Sequence, residues 1–311
     1  MSAALVPHAF PPAEARAEAA IAGLRSVLDE RGSRRLLLLC DATLDDPLGE
    51  LIQAEGLTRR QVELISQGAS RAPLSLVEVP DEERHERLVN ASVRLAVSEA
   101  MRAAPAGRRP RSMAAWLATD LSLAEVGRRM VLRGRLRDAQ GRVRMFRYWD
   151  PRSTQFQRDL YAGATPASWI AGTIWMYVDA FAHWHALPDH AGPMQEALPD
   201  WARLTRLGCI NAVLQRLNVG GLCCVPDVIA AVRQALDQGA ALNLADDEDL
   251  SLFAAWRVLL DAPIERAPSL LALIEEVREE GGRLRHAARD MDDEEWQAFA
   301  REARMPEGLR A

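Results

Sequence analysis

The chain has 311 residues, of which 49% are hydrophobic and 26% charged, enough for a soluble globular protein with two lobes. All 38 basic residues are arginine, which excludes a lysine Schiff base and a Walker-type phosphate loop. A formal net charge of -6 argues against general nucleic-acid binding, and no apolar run reaches the roughly 18 residues that a membrane helix needs.

Pro11 and Pro12 precede a first helix with Ala17, Ile21, Leu24 and Leu28 on one face, closed by Gly32. Met1 to Pro12 carries no Lys or Arg ahead of a hydrophobic region, so no secretory signal is expected and the cytoplasm is the expected location. Leu36 to Cys40 is a short continuous apolar run, the pattern of a strand buried on both faces. Asp45-Asp46-Pro47 reads as a turn and cap into a brief helix bearing Leu48, Leu51 and Ile52. Val62 to Ile65 and Leu74 to Val79 are strand candidates, the second ended by Pro80. Glu82 to Met101 reads as a helix with Leu88, Val89, Val93, Val97 and Met101 on one side. Ala103 to Ser112 reads as a loop, Met113 to Ala118 as a strand and Leu123 to Leu132 as a helix.

A turn at Asp138-Ala139-Gln140-Gly141 then joins two extended arms. The second arm holds Phe146-Arg147-Tyr148-Trp149-Asp150-Pro151-Arg152, which reads as a strand stopping at a helix start. Phe146, Tyr148 and Trp149 favour an extended backbone, and a residue before proline is pushed out of the α region. Asp150 is then the N-cap, accepting backbone N–H groups at Ser153, and Pro151 the first helical residue, with Phe156, Leu160 and Tyr161 following at helical spacing. Thr173 to Tyr177 and Phe181 to Leu187 read as a hairpin through Val178-Asp179-Ala180.

From Pro188 to Pro199 the chain reads as a linker, and beyond it only helices are expected. Asp200 caps one with Leu207, Ile210, Leu214 and Leu217. Pro226 opens another, through Val228, Val232 and Leu236 to a stop at Gly239. A third starts at Asp246 to Asp249 and carries Leu252, Trp256 and Leu259. A fourth runs from Pro268 with Leu270, Ile274 and Val277 to Gly281-Gly282, and a last short one follows Asp292-Asp293-Glu294-Glu295 with Trp296 and Phe299. The expected fold class is therefore α+β, with a mixed lobe over 1–190 holding a small sheet and a helical lobe over 191–311.

The order of these elements resembles the type VI secretion effector chaperones, the Tap/TEC adaptor family, whose shared domain was formerly of unknown function. The resemblance is carried by Leu36 to Asp41, by Ala72-Pro73-Leu74 with Leu76-Val77, and by Trp116-Leu117 before Asp120-Leu121-Ser122. Gly141 ahead of the string Phe146 to Arg152 completes it, and that string is its specific part. It spans roughly residues 34 to 187, with Trp149 standing where Tyr or Phe is common in the family. The resemblance implies a non-enzymatic adaptor without cofactor that binds a toxic effector and loads it onto the VgrG spike, with no part played by nucleic acid or membrane insertion.

His183, His185 and His190 invite an alternative, a metal-dependent hydrolase, because strand residues two apart share a face. They lack a carboxylate or cysteine at a recognised interval, so hydrogen-bonded histidines beside Trp184 are the simpler expectation. Cys40, Cys209, Cys223 and Cys224 show no Cys-x-x-Cys spacing and read as buried thiols. Arg128, Arg129, Arg133, Arg135, Arg137, Arg142, Arg144, Arg147 and Arg152 face only Asp138 and Asp150 in the same stretch. They form either a solvated surface or a docking patch for an acidic partner protein, arginine being favoured at interfaces. The carboxylate clusters at 246–249 and 292–295 lack calcium-loop spacing and read as helix starts.

Overall fold

The computed structural model describes residues 12–30, 32, 35–42, 45–62, 74–102, 111–138, 140–156, 170–188, 204–219, 226–289 and 291–305. They fall into two compact units that divide between Thr205 and Arg206, and the fold is α+β. The expected linker, the Asp200 cap, most of the 103–112 loop, Leu160, Tyr161, His190, Cys223 and Cys224 lie outside the described residues.

The first unit is built on six strands: β1 (Arg35–Asp41), β2 (Arg59–Gln61), β3 (Leu74–Val79), β4 (Met113–Thr119), β7 (Thr173–Val178) and β8 (Trp184–Leu187). They line up in the order β2-β3-β1-β4-β7-β8, with every neighbouring pair antiparallel. The uninterrupted apolar run makes β1 the central strand, because only a strand covered on both faces can bury leucine at every position. Leu36 to Leu39 are all fully buried, each contributing about 1.5–3 kcal/mol of transfer free energy.

Helices α1 (Ala13–Glu30) and α3 (Glu86–Met101) cover one face, packing Ala17, Leu24, Leu88, Val93 and Val97 on Leu36, Leu38, Val77, Trp116 and Met176. The Trp116 indole donates to Ser92 Oγ at 2.9 Å, so its polar edge is satisfied inside that layer. The Trp184 ring fills the space beside Gly23 of α1, where a Cβ would lie 2.5 Å from its Cδ1. On the other face Tyr148 packs near Trp175, with ring centroids 6.1 Å apart. There, α4 (Leu123–Gly134) brings Gly127 beside Leu76 and Val62. From α4 the chain enters a separate two-stranded ribbon of β5 (Arg135–Arg137) and β6 (Val143–Met145), and then α5 (Pro151–Thr154).

Three local expectations are corrected in this unit. The strand near 62–65 is β2 at Arg59–Gln61, and 63–65 lie outside the described residues. The brief helix α2 (Gly49–Ala54) has Leu48 at its N-cap without a side-chain cap; the Asp46 carboxylate instead binds Arg59 at 2.5 and 2.7 Å. The string from Phe146 is not a strand. β6 ends at Met145, and a turn closes with the Asp150 N–H donating to the Arg147 carbonyl at 3.1 Å. A strand would send Tyr148 and Trp149 to opposite faces of a two-stranded ribbon, which cannot cover both; the turn buries both completely.

The second unit holds α6 (Leu207–Val219), α7 (Pro226–Ala241), α8 (Asp247–Leu259), a 3-10 turn (Ile264–Arg266), α9 (Pro268–Glu279), α10 (Leu284–Ala287) and α11 (Asp293–Arg304). Asp246 caps α8 by accepting from Glu248 and Asp249, and Asp292 with Glu295 forms a reciprocal capping box on α11. The acidic clusters are thus helix starts, as their positions predicted. Gly239 does not stop α7, which runs on until Asn243 takes φ 61°. The glycine instead lets α8 approach: a Cβ there would lie 2.7 Å from Leu250 Cδ1. The buried face of α8 is also shifted, to Leu250, Phe253, Ala254 and Val258, with Leu259 exposed. Trp256 meets Trp296 of α11 with ring centroids 3.6 Å apart, over a core that includes Phe253, Leu270, Ile274 and Phe299.

Candidate functional site

Asp41 ends β1 and is the anchor of one end of the sheet. Its N–H donates to the Ser112 carbonyl at 2.8 Å, fixing the backbone. Its carboxylate receives the guanidinium of Arg147 and, at 3.2 Å, the indole N–H of Trp149. Glu99, at the end of α3, accepts the N–H groups of Ser112 and Met113 at 3.0 and 3.3 Å. Half-buried Arg111 donates to the Ala96 carbonyl at 3.4 Å. Burial pushes the Arg111 guanidinium down to about 10, against the pull of the Asp150, Glu99 and Asp179 charges.

Asp150 caps α5, but the N–H it accepts belongs to Arg152 rather than Ser153, at 3.0 Å. The Arg152 side chain folds back to grip the same carboxylate with two bonds, of 2.9 and 2.6 Å. Burial pushes the Asp150 carboxyl up, but the Arg152 guanidinium outweighs it and holds the group below the ordinary aspartate range. The cap alone would tolerate Asn, the ion pair does not. Asp150→Asn is expected to cost about 2 kcal/mol at pH 7, more than a lost cap, because the bidentate pair with Arg152 loses its charge. A depressed carboxyl stabilises above its unfolded value near 4 and loses that contribution as pH falls through its folded value. Urea midpoints should therefore separate wild type from Asp150→Asn at pH 7 and converge as the solution is acidified into that range.

The β5–β6 hairpin is organised by one carboxylate. Asp138 accepts the N–H groups of Gln140 and Arg142 at 3.0 and 2.9 Å, and the Nε atoms of Arg142 and Arg144 at 2.8 and 3.1 Å. Desolvation pushes its carboxyl up, but these bonds prevail and hold it at about 2. Gly141 makes the turn with φ +75°. On α4, Arg128 and Arg129 both bind Glu125, at 2.7 Å each. The other seven arginines of the stretch divide. Arg147 and Arg152 turn toward Asp41 and Asp150. Arg142 and Arg144 share Asp138 while staying exposed. Arg133, Arg135 and Arg137 have no acidic partner among the described residues, and Arg137 donates only to the Gly141 carbonyl at 3.1 Å. Beside them Leu132 and Val143 are 57% and 58% exposed.

His183 and His185 do not lie together on a strand, since β8 begins at Trp184. Both meet Asp179, at 3.5 and 2.8 Å, and His185 stacks on Tyr177. Asp179 also accepts the N–H groups of Phe181 and His183, shaping the β7–β8 turn. Burial pushes its carboxyl up, the two histidines pull it down, and the second effect wins. Among the described residues no three His, Cys, Asp or Glu side chains are grouped to hold a metal ion. Cys40 and Cys209 are buried free thiols, and burial raises Cys40 to about 12, far from a reactive thiolate.

No protein-family model, curated protein or solved structure matches the chain. The resemblance thus rests on the string and the order of elements alone. Sequence reading missed Asp41, Glu99 and Asp179 as organisers. Their signals were weak: an aspartate at a strand end, a glutamate in the last turn of a helix, an aspartate in a hairpin turn.

Proposed function

We propose that the protein is a non-enzymatic cytoplasmic adaptor that binds a type VI secretion effector and delivers it to the VgrG spike. The string Phe146 to Arg152 carries the reading, through its resemblance to the effector chaperones. Two features support it. The charged groups of the string are spent on internal pairs at the sheet end, an arrangement suited to scaffolding rather than to turnover. The arginines left exposed belong to the neighbouring hairpin, where a protein surface can meet them. No helix among the described residues is long and apolar enough to cross a membrane.

Co-expression with a type VI effector and a VgrG spike protein from the same genome tests the proposal. A complex that survives size-exclusion chromatography at micromolar concentration is expected. Separate elution of all three proteins overturns it, as does hydrolytic turnover by the purified chain alone.

A further inference from the structure

The β5–β6 ribbon has an edge whose polar main-chain groups have no partner among the described residues. The hydrogen-bonded pairs of the hairpin are the even-numbered ones. Phe146 donates to Gly134 at 2.8 Å and Asp138 to Arg142 at 2.9 Å, which places Leu136 and Arg144 in the bonded pair between them. The N–H and C=O groups of Val143 and Met145 consequently point away from β5. β6 pairs with no other strand, and neither residue makes another bond among the described residues. β5 follows directly on α4, whose C-cap is Arg135, whereas β6 is separated from α4 by the hairpin turn.

Charge differs between the two faces of this ribbon. Cross-strand partners share a face, so Arg135, Arg137 and Val143 lie on one side, and Leu136, Asp138, Arg142 and Arg144 on the other. Asp138 compensates the second side only. The first presents two arginines without a carboxylate and a valine that is 58% exposed, in a chain whose net charge is -6.

We propose that β6 receives an extended acidic segment of a partner protein as a third strand. That segment would exchange main-chain hydrogen bonds with Val143 and Met145, set an apolar side chain beside Val143, and bring its carboxylates within reach of Arg135 and Arg137. Main-chain pairing supplies the register and the arginines select for acidic sequence. Nucleic acid fits less well, since it offers no strand to pair and the exposed face carries valine rather than an aromatic stacking platform. The inference deepens the adaptor reading and can fail separately from it.

Fluorescence anisotropy of the full chain with a labelled decapeptide of alternating Glu and Val tests it. Binding should be saturable, and Arg135→Glu/Arg137→Glu should weaken it at least about tenfold, about 1.4 kcal/mol. Val143→Pro removes an edge N–H that no hairpin bond uses, and should weaken binding by a similar factor with the far-ultraviolet spectrum unchanged. A decapeptide N-methylated at alternate residues probes the same bonds in the unaltered protein and should not bind. Equal binding of the methylated peptide, no saturable binding of the plain one, or its displacement by an equally charged oligonucleotide overturns the proposal. Effector captured equally by the Arg135→Glu/Arg137→Glu variant and by wild type overturns the strand while leaving the adaptor role standing.

Discussion

Asp41→Ala should lower the stability of the first unit by about 3 kcal/mol, making it one of the two costliest substitutions considered. Only 1% of the Asp41 side chain is exposed, and it serves the Arg147 guanidinium and the Trp149 indole among the described residues. Removing one member of a buried ion pair costs about 3–5 kcal/mol, because a charge is left without compensation. Here the lower end applies: Arg147 keeps 34% of its side chain exposed and can recover part of its hydration. The indole of fully buried Trp149 has no such escape and loses its acceptor. Asp41→Leu combined with Arg147→Met takes both charges away and should recover at least half of the loss. Thermal melting is a sufficient readout, with a fall of roughly 10 °C for the single variant. Equal melting of the single and double variants would show that the pair does not secure this end of the sheet.

The second large effect is expected at Gly239, where two local rules oppose each other. In an exposed helix, alanine is better than glycine by up to about 1 kcal/mol. At Gly239 a Cβ would lie 2.7 Å from Leu250 Cδ1 and 2.9 Å from Phe253 Cδ1, so α7 and α8 must separate or their side chains leave their rotamers. Overpacking of this kind costs about 1–3 kcal/mol. Gly239→Ala should therefore be near neutral or slightly destabilising despite its helix propensity. Gly239→Val, with two further methyls and a stiffer side chain, should cost about 3 kcal/mol. Urea unfolding of both variants decides the matter: a stabilised valine variant would mean that the helices do not meet closely here.

The elements legible in the sequence are those whose pattern is set locally by burial. The runs at 36–40, 74–79 and 113–118 show as strands because these positions are covered on both faces, so no polar alternation obscures them. Asp246 and Asp292 were legible because a cap needs only N–H groups two or three residues ahead. The candidate site was much less so. Whether Phe146 to Trp149 runs straight or turns depends on Asp41, more than a hundred residues upstream, which no periodicity within the string encodes. Gly239 carries the same letter as a helix stop, and only the neighbouring helix shows that it is a crossing point. The histidines illustrate the same limit. Spacing placed His183 and His185 on one face, while Asp179, just before them in the turn, decides what they bind.

The contact between Trp256 and Trp296 gives the helical unit a built-in optical reporter, the closer of two indole pairs among the described residues. Two indoles with centroids 3.6 Å apart and planes inclined by 37° couple their strong far-ultraviolet transitions, and the resulting contribution to the dichroic spectrum is lost once α8 and α11 separate. In the first unit, Trp116, Trp149 and Trp175 sit fully buried, where emission is shifted to the blue and responds to water entry. Dichroism and emission together thus follow the unfolding of both units without an added label.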